Sequence, residues 1–313
     1  MAPDPTLKRI AVMGTGGVGG YFGARLKAAG HDVSFIARGA HLDALKASGL
    51  TVASPLGDLA LAPVTASDDP AEIGPVDAIV FAVKLGDTES AAERCRPLLT
   101  PETSLFTFQN GVESAARIGA VIGAEHVVTG VAYIAATIAA PGVIRHTGQM
   151  AKLVFGEADG QASARCEAFA AACREAGIDH ELSGDVTLAL WQKFIRLAPL
   201  AGVTALTRHP VGPIRENART RALLGEAVAE AIAVARAEGA AISVEETDAV
   251  LAWFDGLPAE MTSSMAGDLE RGKPLELDGL NGALVRLAER HGLDVPAHRF
   301  ITQALELQKE GAA

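Results

Sequence analysis

No apolar run in this 313-residue chain reaches the length of a membrane span, for which about 20 residues are needed. The opening MAPDPTLKR lacks the apolar core of a secretory signal. Both absences point to a cytoplasmic protein. Cysteine is scarce: Cys95, Cys166 and Cys173 are the whole supply. An odd number without ligand spacing excludes a disulfide framework and a cysteine zinc site, and fits thiols in a reducing compartment. Positive charge is also short. With 27 Lys and Arg against 38 Asp and Glu, the net charge is −11, which argues against nucleic acid and anionic membranes as partners. The histidines, His146 and His209 among them, lack metal-ligand spacing, so no metal is expected. There is no G-x-S-x-G elbow of a serine hydrolase.

Apolar residues make up 49% of the chain, enough for sizeable cores without staples. LKRIAVMG reads as a buried strand and GGVGGYFGARLKAAG as a helix closed by Gly30. DVSFIAR and HLDALKASG repeat the pair. VDAIVFAVK and SLFTFQNG are further β-rich runs. Alternating strands and helices predict a parallel sheet covered on both faces. Between Val127 and Glu157 several strands are expected around a turn at Pro141-Gly142, extending the sheet as antiparallel neighbours. Beyond Asp185 only helices are predicted. One is long and bent near Pro199, and a second runs from Pro213 to Gly239. The fold class is α/β, with a Rossmann-type dinucleotide-binding domain over 1–183 and an all-α substrate and catalytic domain over 184–313. The long apolar helices suit a homodimer face or an ordinary domain core equally well.

GTGGVG spans Gly14, Thr15, Gly16, Gly17, Val18 and Gly19. G-x-G-x-x-G is a weak signal alone, but here it lies between a strand and a helix. Gly14 permits the tight turn, Gly16 lets a pyrophosphate approach the backbone, and Gly19 allows close helix–strand packing. The amides at the helix start then face the anion. An NAD site usually ends its second strand with an acid. This strand runs into Arg38, and Asp32 lies at its other end. A guanidinium suits a 2′-phosphate, and Lys84 at the tip of FAVK adds a second cation on the same sheet edge. The cofactor is therefore read as NADP, against the alternative that both cations are solvated loop residues.

Lys193 sits in the apolar stretch WQKFIRLAPLAG, and its helical face continues through Leu197, Leu200, Ala201 and Thr204. A lysine buried there must be paired or lose basicity; otherwise it snorkels to the surface. SSMAGDLERGKPLELDGLNG holds Ser263, Ser264, Asp268 and Glu276. Taken alone it reads equally as an ordinary helix–loop–helix.

Together these features resemble the ketopantoate reductase (2-dehydropantoate 2-reductase) family, in order and over nearly the whole chain. The resemblance includes the loop at Gly14, ARGAHLDAL, FAVK, QNG at Asn110, APGVIRHTG, W-x-K at Lys193, and SSM-x-x-D with Glu276 twelve residues after Ser264. It implies NADPH-dependent reduction of a 2-oxo acid to a 2-hydroxy acid, with Lys193 as the catalytic acid. It places Glu276 close to cofactor and lysine, Asn110 and Ser264 on substrate or nicotinamide ribose, and a backbone contact to NADP at Ala136. Arg38 and Lys84 are implied to serve the adenosine 2′-phosphate. The chain departs from the family where substrate-holding asparagines are expected. Leu197, Ala201 and, further on, Val211 stand there. The expected substrate is therefore ketopantoate or a less polar relative. The alternatives are a reductase of a less polar ketone or imine, or an NADP-binding sensor without turnover.

Overall fold

The computed structural model describes residues 7–311; the leading MAPDPT lies outside the described residues. The first half of the chain forms β1 (Arg9–Met13), α1 (Gly17–Ala28), β2 (Asp32–Ile36), α2 (Gly39–Ser48), β3 (Leu50–Ala53), β4 (Leu59–Leu61), β5 (Thr65–Ser67), β6 (Ala78–Phe81), α3 (Thr88–Arg94), β7 (Ser104–Thr107), α4 (Ser114–Ile122), β8 (Val127–Ala140), β9 (Val143–Gly156), α5 (Ala164–Glu175) and β10 (Asp179–Leu182). The rest is helical: α6 (Val186–Thr207), α7 (Val211–Glu216), α8 (Ala218–Ala237), α9 (Glu246–Asp255), α10 (Ser264–Glu270), α11 (Asn281–Arg290) and α12 (Pro296–Leu305). The chain divides into two compact units. One runs through Gln109 and resumes over Ser114–Val186; the other takes Asn110–Glu113 and everything from Thr187.

In the first unit the strands join in the order β4-β3-β9-β8-β7-β6-β1-β2-β5, with β10 added on β9. The runs AVM in β1, AIVF in β6 and SLFT in β7 are fully buried, as central strands of a parallel sheet must be. One face packs Phe22, Phe35, Phe106, Phe155 and Phe169, with Phe106 and Phe169 stacked at 4.1 Å. The other buries Ile79, Phe81, Leu105 and Ile118 together with the Cys95 thiol. Burial pushes that thiol's pKa up to about 12, so it is inert at neutral pH.

Three short strands, β3, β4 and β5, escape sequence reading. LTVA, LAL and TAS are only three or four residues long and carry no usable period. The expected turn at Pro141-Gly142 does join two strands, β8 and β9, and these are antiparallel. β8, however, enters the sheet parallel to β7, so only β9 reverses direction there. His146 on β9 is buried, with Ser54 Oγ at 2.9 Å and the Met150 carbonyl at 3.1 Å, a structural role.

In the helical unit α6 is apolar nearly all round and keeps Pro199 inside it. The Asn281 amide donates to the Ala198 carbonyl at 3.1 Å and to His298 Nδ1 at 2.9 Å. His298 Nε2 in turn meets the Ala227 carbonyl of α8 at 2.9 Å. Burial drops the His298 pKa to about 4, so the ring is neutral and ties three helices together through both nitrogens. The single helix expected from Pro213 to Gly239 is in fact two. Asn217 takes an extended conformation and its side chain accepts from Arg219 and Thr220 amides. That cap starts α8 afresh, and the local alternative wins over helical continuity.

Candidate active site

The glycine loop lies in the sheet unit. β1 is flanked by β2 and β6, so the segments leaving all three strands meet at one edge. Gly14 has φ +95°, and a Cβ there would lie 2.8 Å from Val83 and 2.9 Å from the Ala82 carbonyl. Only glycine serves. The amide and hydroxyl of Thr15 both bond to the Ile36 carbonyl, at 3.1 and 3.0 Å, pinning the loop to the end of β2. Gly16 is the N-cap of α1, and the helix start has no side-chain cap and no acidic residue in its first turn. A Cβ at Gly16 would meet nothing within 4 Å. The protein itself therefore places no steric demand on Gly16, which fits a glycine reserved for close approach of a pyrophosphate. Gly17 is held differently: a Cβ there would overlap the Ala136 carbonyl of β8, and one at Gly19 would overlap the Gly14 carbonyl. Ala136 thus lies against the first turn of α1 at Gly17.

Arg38 follows β2 as the N-cap of α2. It is exposed and pairs with Asp87 at 2.7 Å. Lys84 follows β6, exposed, at the start of the short turn leading to Asp87. The structure therefore brings Gly14 to Gly19, Ala136, Arg38 and Lys84 to one sheet edge. Sequence reading missed two residues there. His41, on the first turn of α2, accepts from the Gly142 amide at 3.0 Å, and burial lowers its pKa, with the Thr15 backbone partly opposing. Gln109 bonds to the Val83 carbonyl and Thr88 hydroxyl at 3.1 and 3.0 Å, locking the end of β7 to the turn after β6. The histidine three residues after Arg38 was the only available signal for the first.

The lysine end lies in the helical unit. Lys193, on the second turn of α6, is half-buried. Its Nζ donates to Asn110 Oδ1 at 2.8 Å. An ammonium only donates, so the amide oxygen must face it. Burial lowers the Lys193 pKa from its ordinary 10.5 to about 8, and the charge of Glu276 pulls it back up. Glu276 is itself buried, just before α11. Glu113, three residues after Asn110, pairs with Arg286 of α11 at 2.7 Å, fixing the segment that carries Asn110. Lys193, Asn110 and Glu276, far apart in sequence, are thereby assembled.

Along the same face of α6, Leu197 is half-buried and Leu200, Ala201 and Thr204 are buried. The Thr204 hydroxyl meets Ser263 Oγ at 2.8 Å. Ser263 caps α10 by accepting from the Ala266 amide. Ser264, the expected substrate contact, is the first residue of α10 and is exposed. Val211 is buried, and its amide bonds to the Met261 carbonyl at 2.9 Å. Among the described residues no group of three or more His, Cys, Asp or Glu is placed to hold a metal ion. Among the described residues no helix is long and apolar enough to cross a membrane.

Comparison with known proteins bears on both ends. Residues 10–160 match the family described as "Ketopantoate reductase PanE/ApbA". Residues 185–309 match "Ketopantoate reductase PanE/ApbA C terminal". The chain is 32% identical, over 89% of its length and 91% of the relative's, to 2-dehydropantoate 2-reductase of Mesorhizobium japonicum. Among solved structures it is similar to a PanE/ApbA family ketopantoate reductase from Ralstonia eutropha, with a TM-score of 0.88, 34% identity, and 96% and 98% of the two chains covered. It is also similar to 2-dehydropantoate 2-reductase from Geobacter metallireducens, with a TM-score of 0.89, 32% identity, and 96% and 99% covered.

Proposed function

The chain belongs to the ketopantoate reductase family, and from that premise we propose that it reduces a 2-oxo acid to the 2-hydroxy acid with NADPH, Lys193 giving the proton. The observation that carries this reading is the half-buried Lys193, held by Asn110 and Glu276 with a pKa near 8. A general acid works best with a pKa close to the working pH. At pH 7 a group of pKa about 8 is roughly ten parts in eleven ammonium, yet it releases its proton far more readily than a surface lysine.

The bound cofactor supplies hydride to the carbonyl carbon. The protein's own contribution is charge and position. The Lys193 ammonium donates to the carbonyl oxygen, stabilises negative charge as it develops there, and transfers its proton to that oxygen. It is left neutral and regains a proton from water. Glu276 favours the charged form, so the acid is ready for each turnover. Asn110 Oδ1 accepts a hydrogen bond from one ammonium N–H, which orients the others. With its oxygen so engaged, the Asn110 NH₂ is left to donate to substrate or nicotinamide ribose. Arg38 and Lys84 supply the charge for a 2′-phosphate, and the first turn of α1 receives the pyrophosphate.

Leu197 and Ala201 favour a particular substrate. They lie one and two turns beyond Lys193 on its own face and offer no hydrogen bond to an added hydroxyl. An unpaired buried hydroxyl costs about 1–3 kcal/mol, whereas an alkyl side chain gains about 0.8 kcal/mol per buried methylene. A 2-oxo acid with a plain hydrophobic side chain is therefore the better substrate. The test follows NADPH consumption with a panel of 2-oxo acids, in the native protein and in Lys193→Ala. Turnover that survives the substitution, or none with any 2-oxo acid, rules this function out.

A further inference from the structure

We propose that Asp87 sets the cofactor preference of this chain, holding Arg38 and offering a carboxylate to an unphosphorylated ribose, so that the site accepts NAD as well as NADP. The proposal rests on the reading that Arg38 faces the ribose 2′ position. The observation behind it is the Arg38 Nη2–Asp87 Oδ2 pair at 2.7 Å.

Asp87 occupies the N-cap position of α3. An aspartate there ordinarily accepts from the first-turn amides of its own helix. This one makes no such bond. Its backbone serves the turn instead, with its amide donating to the Lys84 carbonyl at 2.9 Å and its carbonyl accepting from Ser90 at 3.0 Å. The carboxylate reaches across from the end of β6 to the residue after β2. Local structure therefore does not account for the acid at position 87; the pair with Arg38 does.

The position has a chemical meaning. NAD sites place an acid at the end of the second strand to accept from the ribose 2′-hydroxyl. Here that strand leads into Arg38, and the acid arrives at the same guanidinium from the segment after β6, two strands away in the sheet. A carboxylate has two oxygens and about four acceptor positions, so one oxygen can hold Arg38 while the other accepts from a hydroxyl. A 2′-phosphate meets different terms. It brings about two negative charges and gains Arg38 and Lys84, but it must draw Arg38 away from Asp87 and lie near a like charge. Paired with the Asp87 carboxylate, Arg38 favours the phosphate less than it would alone. Both cofactors consequently bind with similar strength.

The test is equilibrium binding by calorimetry, independent of turnover. NADP⁺ and NAD⁺ are compared, with 2′,5′-ADP and 5′-AMP as fragments reporting on the adenosine end alone. Wild-type dissociation constants for NADP⁺ and NAD⁺ are expected within about tenfold of each other, a difference of about 1.4 kcal/mol. Asp87→Asn should tighten NADP⁺ and weaken NAD⁺, moving their ratio by about tenfold or more, the order for removing one charge near a protein surface. The fragments should follow, and Asp87→Ser should shift the same way. Arg38→Ala is measured alongside. If it weakens NADP⁺ while neither change at Asp87 moves the ratio, Asp87 is only a surface partner and the proposal fails, although Arg38 keeps its role. If Arg38→Ala leaves the ratio unchanged, the reading of Arg38 fails, and this proposal with it. Wild-type discrimination beyond about a hundredfold in either direction also overturns it.

Discussion

Replacing Glu276 by Gln removes the charge that holds the Lys193 pKa up while keeping the side chain's size. With a pKa of about 8, Lys193 is about three-quarters ammonium at pH 7.5. A unit of pKa is about 1.4 kcal/mol, well within what a nearby charge supplies at an effective dielectric of about 20. Lowering the pKa by about one leaves about a quarter of the lysine charged at pH 7.5. The loss in kcat/KM from protonation alone is then about threefold at that pH, under 1.5-fold (roughly) at pH 6.5, and about eightfold at pH 8.5. Widening with pH is the signature. The assay is kcat/KM for a 2-oxo acid between pH 6 and 9.5, in wild type and Glu276→Gln. The wild-type rate should decline on a limb near pH 8, and the limb should lie lower in the variant. A loss of the same size at every pH would mean that Glu276 acts on substrate or cofactor directly. An unmoved limb would refute its electrostatic role.

Three further outcomes are expected. Lys193→Met should raise the melting temperature at pH 7, because folding then no longer buries an ammonium; the drop in pKa from 10.5 to about 8 sets a ceiling of about 3 kcal/mol. Between those two values the folded wild type sheds its proton first, so the unfolded chain holds more protons and wild-type stability rises with pH; the variant's advantage should fade by about pH 10.5, and a constant difference across thermal melts would contradict this. Gly16→Ala should leave thermal stability unchanged yet weaken dinucleotide binding, whereas Gly17→Ala should lower stability as well, because only Gly17 is pressed against Ala136; melting curves with and without NADP⁺ separate them. Leu197→Asn with Ala201→Asn should move the ratio of kcat/KM for ketopantoate over 2-oxoisovalerate towards ketopantoate, and a strong wild-type preference for ketopantoate would defeat the apolar-pocket reading.

What the sequence discloses divides along physical lines. The strands of the sheet centre are legible because they are buried on both faces and read as unbroken apolar runs such as AIVF and IAVM. The glycine loop is legible because its residue types are set by backbone sterics that no other residue satisfies, as the overlaps at Gly14, Gly17 and Gly19 show. The strands β3, β4 and β5 are not. Their residues are three or four in number, and what makes them strands is partners 11 to 92 positions away: Leu50 opposite Leu61, Thr51 opposite Val143, Ser34 opposite Thr65. The break at Asn217 was hidden for the opposite reason. Its cause is local, a side-chain cap, but the surrounding composition is strongly helical.

The candidate site shows the same division at the level of single residues. A lysine in an apolar stripe is visible in sequence as an anomaly, and the sequence alone allows either burial or snorkelling. Deciding between them needs the neighbours. Asn110, 83 positions earlier, fixes the ammonium at 2.8 Å, and Glu276, as far again downstream, supplies its charge. Arg38 is the converse case. It is visible as a cation where an acid is usual, which points to NADP. Its partner Asp87, 49 positions on, is an unremarked acid at a helix start until the structure shows that it does not cap that helix. Sequence identifies a residue by what it breaks locally; its chemical meaning depends on charges brought to it by the fold. Here the fold brings Arg38 a carboxylate, and that is why cofactor preference cannot be read from Arg38 alone.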